Sequence, residues 1–258
     1  MSLLTSVQQR AADSGLNMFG LVDAQRFDKS QPCEQRSRAI RRDCGSIVVL
    51  GTGGRSFWHA YRRKNGAEPA DVDSDAADRY AASGVESVAA VLGAAGLACC
   101  IVDARTPRVN FGRLAEAAGF GIVSPVSGML LHPDYGPWLR VREALLVDGT
   151  PFGPIADASI ADWFKPCCGC ARPCLSACPQ KVHDGFGRSD RCKCAEHRHA
   201  GGCGDGCESR MACPVGREHR DDGPTLHAHS IGRRTMQRWY GLGAWRVVPR
   251  FLRGAPRV

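Results

Sequence analysis

The spacing of apolar side chains predicts helices that alternate with strands over the first 160 residues. Residues 3–15 have helical spacing, and the unbroken apolar run at 46–50 is typical of a strand buried on both faces. Residues 76–97 form an alanine-rich segment that predicts a long helix. Further strands are predicted at 18–22, 97–102, 128–131 and 143–147. This alternation indicates a layered α/β or α+β domain that ends near residue 160.

The pattern changes sharply after that point. Residues 164–224 have almost no periodic apolar positions and are rich in Gly, Pro and Cys. Apolar burial alone cannot offset the entropy of folding such a segment, so we expect bound metal to organise it. Helical spacing returns at about residue 226, in a basic stretch. The sequence therefore predicts three parts, which are an α/β domain, a metal-binding domain and a basic C-terminal helix with its tail, over 1–160, 161–224 and 225–258.

Cysteine usage identifies the metal chemistry. The N-terminus has no signal-like segment and no apolar stretch is long enough to cross a bilayer, so we expect a cytoplasmic protein. Cytosolic thiols are kept reduced, which argues against a disulfide framework for the fourteen cysteines. Ten of them lie between Cys167 and Cys213, among Gly, Pro, Arg and His, which make a poor hydrophobic core. We therefore interpret these cysteines as metal ligands.

The spacing within this group predicts two 4Fe–4S clusters. Four cysteines from Cys167 to Cys178 are separated by two, three and three residues and are closed by Cys-Pro. Bacterial ferredoxins use two, two and three, also closed by Cys-Pro, and their fourth cysteine ligates the other cluster. By this crossing rule the first cluster takes Cys167, Cys170, Cys174 and Cys213, and the second takes Cys178, Cys192, Cys203 and Cys207.

Two choices stay open in this assignment, since Cys168 could replace Cys167 and Cys194 could replace Cys192. Zinc is the alternative metal, because it also binds Cys-x-x-Cys pairs. The two Cys-Pro closures and the interleaved spacing favour iron–sulfur over zinc.

Two more motifs accompany the cysteines. Residues 114–121 read Leu-Ala-Glu-Ala-Ala-Gly-Phe-Gly, and residues 129–138 read Met-Leu-Leu-His-Pro-Asp-Tyr-Gly-Pro-Trp. With them the chain resembles the iron–sulfur and cobalamin family that includes epoxyqueuosine reductase and the reductive dehalogenases. The resemblance spans residues 10–215. It is to a short, divergent member, because the helical-repeat domain with which epoxyqueuosine reductases grip transfer RNA does not follow the cysteines in this sequence.

The resemblance implies an α+β architecture, with a nitroreductase-like α/β layer domain followed by a ferredoxin-like double-cluster domain. It also implies cobalamin, held in a cleft between the loops 51–59 and 131–140. Asp103, the acid nearest to the family's proton donor, and Tyr135 are the candidate proton donors. The candidate cofactor contacts are Gly53, Gly54, His132, Tyr135 and Arg140.

These expectations lead to three hypotheses. The first is an oxidoreductase, a cobalamin-dependent reductase similar to epoxyqueuosine reductase or to the dehalogenases, acting on a small-molecule or nucleoside substrate. The second is a ferredoxin-like electron-transfer protein without cobalamin. The third is a zinc-stabilised module that binds nucleic acid, a partner that the first two do not require. For the redox hypotheses we expect a donor such as flavodoxin or ferredoxin, which could dock on the basic tail because residues 214–258 contain nine arginines and three acids.

Overall fold

A four-stranded antiparallel sheet forms the centre of the protein. The computed structural model describes residues 2–66, 74–103, 108–203, 206–220 and 233–249, together with Leu252. The sheet has the order β1–β2–β6–β3. Its strands are β1 (Met18–Asp23), β2 (Cys44–Gly53), β3 (Cys99–Asp103) and β6 (Leu139–Asp148). A separate pair, β4 (Ile122–Val123) and β5 (Leu130–Leu131), is also antiparallel.

The central strands are buried on both faces, as their unbroken apolar runs predict. Residues 47–50 of β2 and 144–147 of β6 are all fully buried. On one face they pack against helices α1 (Leu3–Asp13) and α5 (Ser74–Ala94). The other face packs against Phe27, Leu114 and Phe120. The first part of the chain is therefore a sheet between two apolar layers.

Shorter helices complete this part. They are α2 (Ala24–Lys29), α3 (Ser37–Ile40), α4 (Ser56–Asn65) and α6 (Phe111–Ala117). Helix α4 and the beginning of α5 share an aromatic cluster of Phe57, Trp58, Tyr61 and Tyr80. A 3-10 turn, Cys33–Gln35, precedes α3.

The cysteine-rich part is built of short helices joined by loops. These helices are α7 (Pro173–Ser176), α8 (Arg191–His199) and α9 (Glu208–Ala212), followed by a 3-10 turn at Arg217–His219. Between 161 and 220, the buried apolar side chains of the described residues are Cys178, Val182, Ala195 and Cys213. Two of these four are thiols, so sulfur contributes much of the small core in this part.

The C-terminal helix that the sequence predicts is α10 (Arg233–Tyr240), followed by a 3-10 segment at Gly243–Val247. Met236 of α10 packs with Ala195 of α8 and with Leu242. The predicted beginning of this helix, with His227 and His229, lies outside the described residues. No helix in the described ranges combines the length and apolar character that crossing a bilayer requires.

Candidate functional site

Four thiols converge on a cavity beneath β4 and β5. Cys167, Cys170, Cys174 and Cys213 line it together with Ser124, Met129, Leu131 and Val215. Burial raises the pKa of the Cys174 and Cys213 thiols, and the negative charge of the neighbouring thiolates of the same set raises it further. Cys168, the alternative left open by the sequence, is exposed and lies outside this lining. We call Cys167, Cys170, Cys174 and Cys213 the first thiol set.

The local backbone explains how one short segment supplies three of the four thiols. Arg172 adopts a left-handed conformation with φ 56° and ends the loop that carries Cys167 and Cys170. Pro173 then starts α7, because its fixed φ suits the first helical position. Cys174 follows on that helix. The fourth thiol, Cys213, comes from the end of α9, a long way along the chain.

A second set of four thiols lines a cavity of about 480 Å³. Its members are Cys178, Cys194, Cys203 and Cys207. Burial raises the pKa of the Cys194 and Cys203 thiols, and nearby thiolates of the set contribute in the same direction. The second thiol set therefore contains Cys194, the alternative that the sequence left open beside Cys192.

The geometry of α8 accounts for the position of Cys194 in this set. Asp190 caps the helix by accepting a hydrogen bond from Lys193 N, which fixes the rotation of its first turn. Residues two positions apart on a helix point about 200° apart, so Cys192 and Cys194 face opposite sides. Cys192 is exposed, while Cys194 is half-buried and lines the cavity.

Backbone amides donate hydrogen bonds to sulfur in both sets. Arg172 N donates to Cys170 Sγ at 3.4 Å, and Val182 N donates to Cys178 Sγ at 3.5 Å. Four thiols are the donor set of a cubane cluster, and hydrogen bonds to sulfur are one of the features that tune its potential. They are also a donor set for zinc. Across the described residues, no group of three or more His, Cys, Asp or Glu side chains has the arrangement expected around a single metal ion.

His183 connects the surroundings of the two thiol sets by hydrogen bonds. Its Nδ1 lies 2.7 Å from Ser189 Oγ, and its Nε2 lies 2.9 Å from Ser209 Oγ. Ser209 Oγ in turn donates to the carbonyl oxygen of Cys174 at 2.7 Å. Burial lowers the pKa of His183. The sequence pattern does not mark this role, because Ser189 is six residues away along the chain but Ser209 is 26 residues away.

The predicted cleft between the loops 51–59 and 131–140 is filled by a side chain. The ring of Tyr135 lies directly against Gly53 and also contacts Gly54. It stacks on His132 at 4.8 Å between ring centroids, and its hydroxyl accepts a hydrogen bond from Asn17 Nδ2 at 3.2 Å. The structure therefore brings four of the five predicted cofactor contacts together as a packed junction, because the missing side chains of the two glycines make room for the tyrosine ring.

The same junction joins the sheet to the cysteine-rich part. His219 meets the Tyr135 ring edge-on at 4.9 Å. The backbones of Gly136 and Gly216 lie so close together that a Cβ on Gly136 would overlap the backbone of Val215, and one on Gly216 would overlap that of Tyr135. Both glycines have positive φ, 55° and 64°, which other residues rarely adopt.

Arg140, in β6, and Asp103, at the end of β3, line two other cavities. Arg140 lines the 480 Å³ cavity beside the second thiol set, and its Nη2 lies 3.3 Å from Asp78 Oδ1. Asp103 lines a small neighbouring cavity with Asp78, Arg142 and other residues of β6. The candidate proton donors Asp103 and Tyr135 thus sit in different surroundings, one at a polar cavity and one in the packed junction.

The 480 Å³ cavity also has walls that sequence reasoning did not assign to a site. Three residues of α10 contribute an apolar wall, namely Met236, Trp239 and Tyr240. Three arginines of the cysteine-rich part line the cavity as well, namely Arg191, Arg198 and Arg210. Glu208 is the acid among the described lining residues, so apart from the thiols the charged side chains of the lining are mostly positive.

Comparison with known proteins finds relatives by structure alone. No family model matches the sequence, and no curated protein matches it either. A selenomethionine-labelled epoxyqueuosine reductase superposes with a TM-score of 0.62 at 15% identity, covering 95% of this chain and 77% of that one. An epoxyqueuosine reductase with an epoxyqueuosine-modified tRNA-Tyr stem loop gives 0.60 at 16% identity, with the same coverage.

A reductive dehalogenase described with a mechanism for B12-dependent dehalogenation is also similar. Its TM-score is 0.52 at 20% identity, and the match covers 86% of this chain but 32% of that one. These likenesses show that the chain shares its fold with both groups of enzymes. The resemblance that the sequence motifs predict is therefore confirmed at the level of the fold.

Proposed function

We propose that the chain is an iron–sulfur oxidoreductase that holds two 4Fe–4S clusters beside a cavity for an electron acceptor. The observation that carries this proposal is the sorting of eight thiols, from separate segments, into two sets of four. Such interleaving is typical of proteins with two cubane clusters. The fold likeness to reductases supports the same class of function.

The first thiol set would hold one cluster and the second set the other, with Cys194 in place of Cys192. When bound, the clusters supply storage and transfer of single electrons. The amides of Arg172 and Val182 orient the thiols that they bind. Met236, Trp239 and Tyr240 exclude water from one side of the cavity, and Arg140, held by Asp78, offers a guanidinium to an anionic or carbonyl group of the acceptor.

Cobalamin fits the described residues less well than the clusters do. The predicted cleft is filled by Tyr135, and the 480 Å³ cavity must also accommodate the second cluster. Pockets for drug-sized ligands measure about 300–1,000 Å³, and cobalamin is larger than such ligands. A cobalamin-dependent reductase is therefore our second candidate. Its support is the fold likeness to a dehalogenase whose described chemistry depends on B12.

The experiment is metal analysis of protein purified anaerobically from cells fed with cobalamin. Two cubanes predict about eight iron and eight sulfide per chain in the wild type. Cys194→Ala should reduce both to about four, because it removes a ligand of one cluster. Cys192→Ala is the matched control, two residues away on the same helix, and should keep the wild-type values.

The outcomes separate the candidates. Colourless protein with stoichiometric zinc and no sulfide would contradict the proposal and favour the zinc module. Loss of iron in Cys192→Ala but not in Cys194→Ala would contradict our assignment of the second set. Cobalt that accompanies the iron, together with binding of added cobalamin, would move the second candidate into first place.

A further inference from the structure

An apolar groove of about 520 Å³ opens beside the first thiol set. Its lining includes Ile122, Val126 and Phe164, and it reaches the ligand candidate Cys167 and the exposed Cys168. The groove therefore brings the outer surface of the protein next to one of the two thiol sets. The second thiol set instead lines the 480 Å³ cavity.

Two large aromatic residues stand exposed at this groove. Phe186 lines it and is 85% exposed, and Trp163, whose ring lies 5.9 Å from that of Phe164, is 67% exposed. Exposed aromatic residues that cluster on a surface mark interaction sites more often than chance. Aromatic residues are also enriched among those that dominate binding energy at protein interfaces.

The loop that carries Phe186 is built to hold it outward. Asp184 Oδ1 accepts hydrogen bonds from Phe186 N at 2.7 Å and from Arg188 N at 3.0 Å. Gly185 and Gly187 flank the phenylalanine, and both have positive φ, 82° and 86°. The backbone that carries the exposed ring is therefore held in place by hydrogen bonds before any partner binds, which reduces the entropy lost on binding.

The charges around the groove favour an acidic partner. Lys165 and Arg172 line it, and neither takes part in a side-chain ion pair among the described residues. The acid in the lining, Glu116, is already bound by Arg113 Nη1 at 2.9 Å and by Val123 N at 2.8 Å. The exposed Asp162 offsets one of the positive charges, so we expect the attraction to be moderate.

We propose that this groove is the docking site of a small acidic electron-carrier protein that reduces the first thiol set's cluster. The inference rests on the proposed function and adds the place where electrons enter. In each encounter the carrier loses one electron and the metal group at the first thiol set gains it, with no bond made and no proton transferred. The groove thereby replaces the basic C-terminal tail as the docking surface expected from the sequence.

The test is stopped-flow reduction of the anaerobically purified, cluster-loaded chain by a strongly acidic flavodoxin in its hydroquinone state. Phe186→Ala should lower the second-order rate constant at least fivefold, because a fixed aromatic contact is lost. Lys165→Glu should lower it about threefold at low salt, and the difference should vanish near 0.5 M salt as the charges are screened. Arg246→Glu, in the tail, is the matched charge reversal and should leave the rate unchanged.

Two measurements keep failure of the groove distinct from failure of the proposed function. Iron content and the rate of reduction by dithionite, a small reductant that needs no docking surface, should be the same in all three variants and the wild type. A wild type without iron and sulfide would contradict the proposed function itself. With clusters present, wild-type rates in both Phe186→Ala and Lys165→Glu would overturn the groove, and a slower Arg246→Glu would assign docking to the tail.

Discussion

Replacement of Asp78 by asparagine is expected to destabilise the protein by several kcal/mol. Asp78 Oδ1 accepts a hydrogen bond from Arg142 Nη1 at 3.0 Å and lies 3.3 Å from Arg140 Nη2. The Arg142 side chain is only 4% exposed, and its guanidinium lies over the ring of Phe57 at 4.6 Å. Burial lowers the pKa of Arg142, and the nearby charge of Asp78 acts in the opposite direction. Asparagine would leave this buried cation without its bound carboxylate.

The magnitude follows from the burial of the pair. Removal of one partner from a buried ion pair costs about 3–5 kcal/mol. We expect the lower end, about 3 kcal/mol, because Asp78 is itself 12% exposed and the charge of Glu143 also favours the charged Arg142. For a chain of this size each kcal/mol lowers Tm by about 2–4 °C, so the variant should melt roughly 6–12 °C below the wild type.

The assay is thermal unfolding of the anaerobically purified chain, followed by circular dichroism. Asp134→Asn is the matched control, because that side chain is 78% exposed and its contact with His132 is long, at 3.9 Å. It should change the free energy of unfolding by no more than about 0.5 kcal/mol. Asp78→Asn combined with Arg142→Met should recover much of the lost stability, since the buried charge is then gone. A Tm of Asp78→Asn within about 2 °C of the wild type would refute this reasoning.

Three further predictions concern the packed junction. Tyr135→Phe loses only the hydrogen bond from Asn17, so it should lower the free energy of unfolding by about 0.5–1.5 kcal/mol and leave the iron content unchanged. Loss of turnover without loss of stability would instead favour the proton-donor role of Tyr135. Burial lowers the pKa of His132 in the folded state below the value of about 6.5 expected in the unfolded chain. At a pH between these two pKa values the unfolded chain binds more protons than the folded chain, so the free energy of unfolding falls as the pH drops. His132→Asn, which keeps an acceptor for the loop amides but does not titrate, should flatten this dependence between pH 7 and 5, and an unchanged slope would contradict the assignment. Gly216→Ala should lower Tm and iron content together, because its Cβ would overlap the backbone of Tyr135 and Gly136. Gly149→Ala is the control, with nearly the same φ but open space around its Cβ, and should lower Tm only slightly. Equal effects of the two variants would contradict a role for the close approach of the two backbones.

The two central strands of the sheet were predictable because they are buried on both faces. The apolar runs at 46–50 and 143–147 lie within β2 and β6, but both strands are longer than the runs. Arg140 and Arg142 interrupt the apolar pattern of β6, and only the structure shows that Asp78, from a helix, forms ion pairs with both inside the fold. A polar residue in a strand is a poor strand signal when its partner is far away in sequence.

The thiol sets were predictable in outline, because ligand spacing is a property of the sequence. The choice between Cys192 and Cys194 was not, since it depends on the rotation of α8, which Asp190 fixes. The role of Tyr135 was also beyond the sequence. The sequence motif marks Tyr135 as an aromatic residue in a loop. The Tyr135 ring packs against Gly53, which belongs to a strand about eighty residues earlier in the chain.

The junction explains why the sheet and the cysteine-rich part should behave as one unit. Cys213 is followed at once by the turn at Val215 and Gly216, whose backbone packs against Tyr135 and Gly136. The cavity of the first thiol set is closed on its other side by Leu131, which belongs to the strand before that loop. The fourth thiol of the first set is therefore positioned by contacts with β5 and the loop that follows it, as well as by the end of α9. Metal bound there should raise the melting temperature of the sheet as well, and two separate thermal transitions in the loaded chain would contradict this coupling.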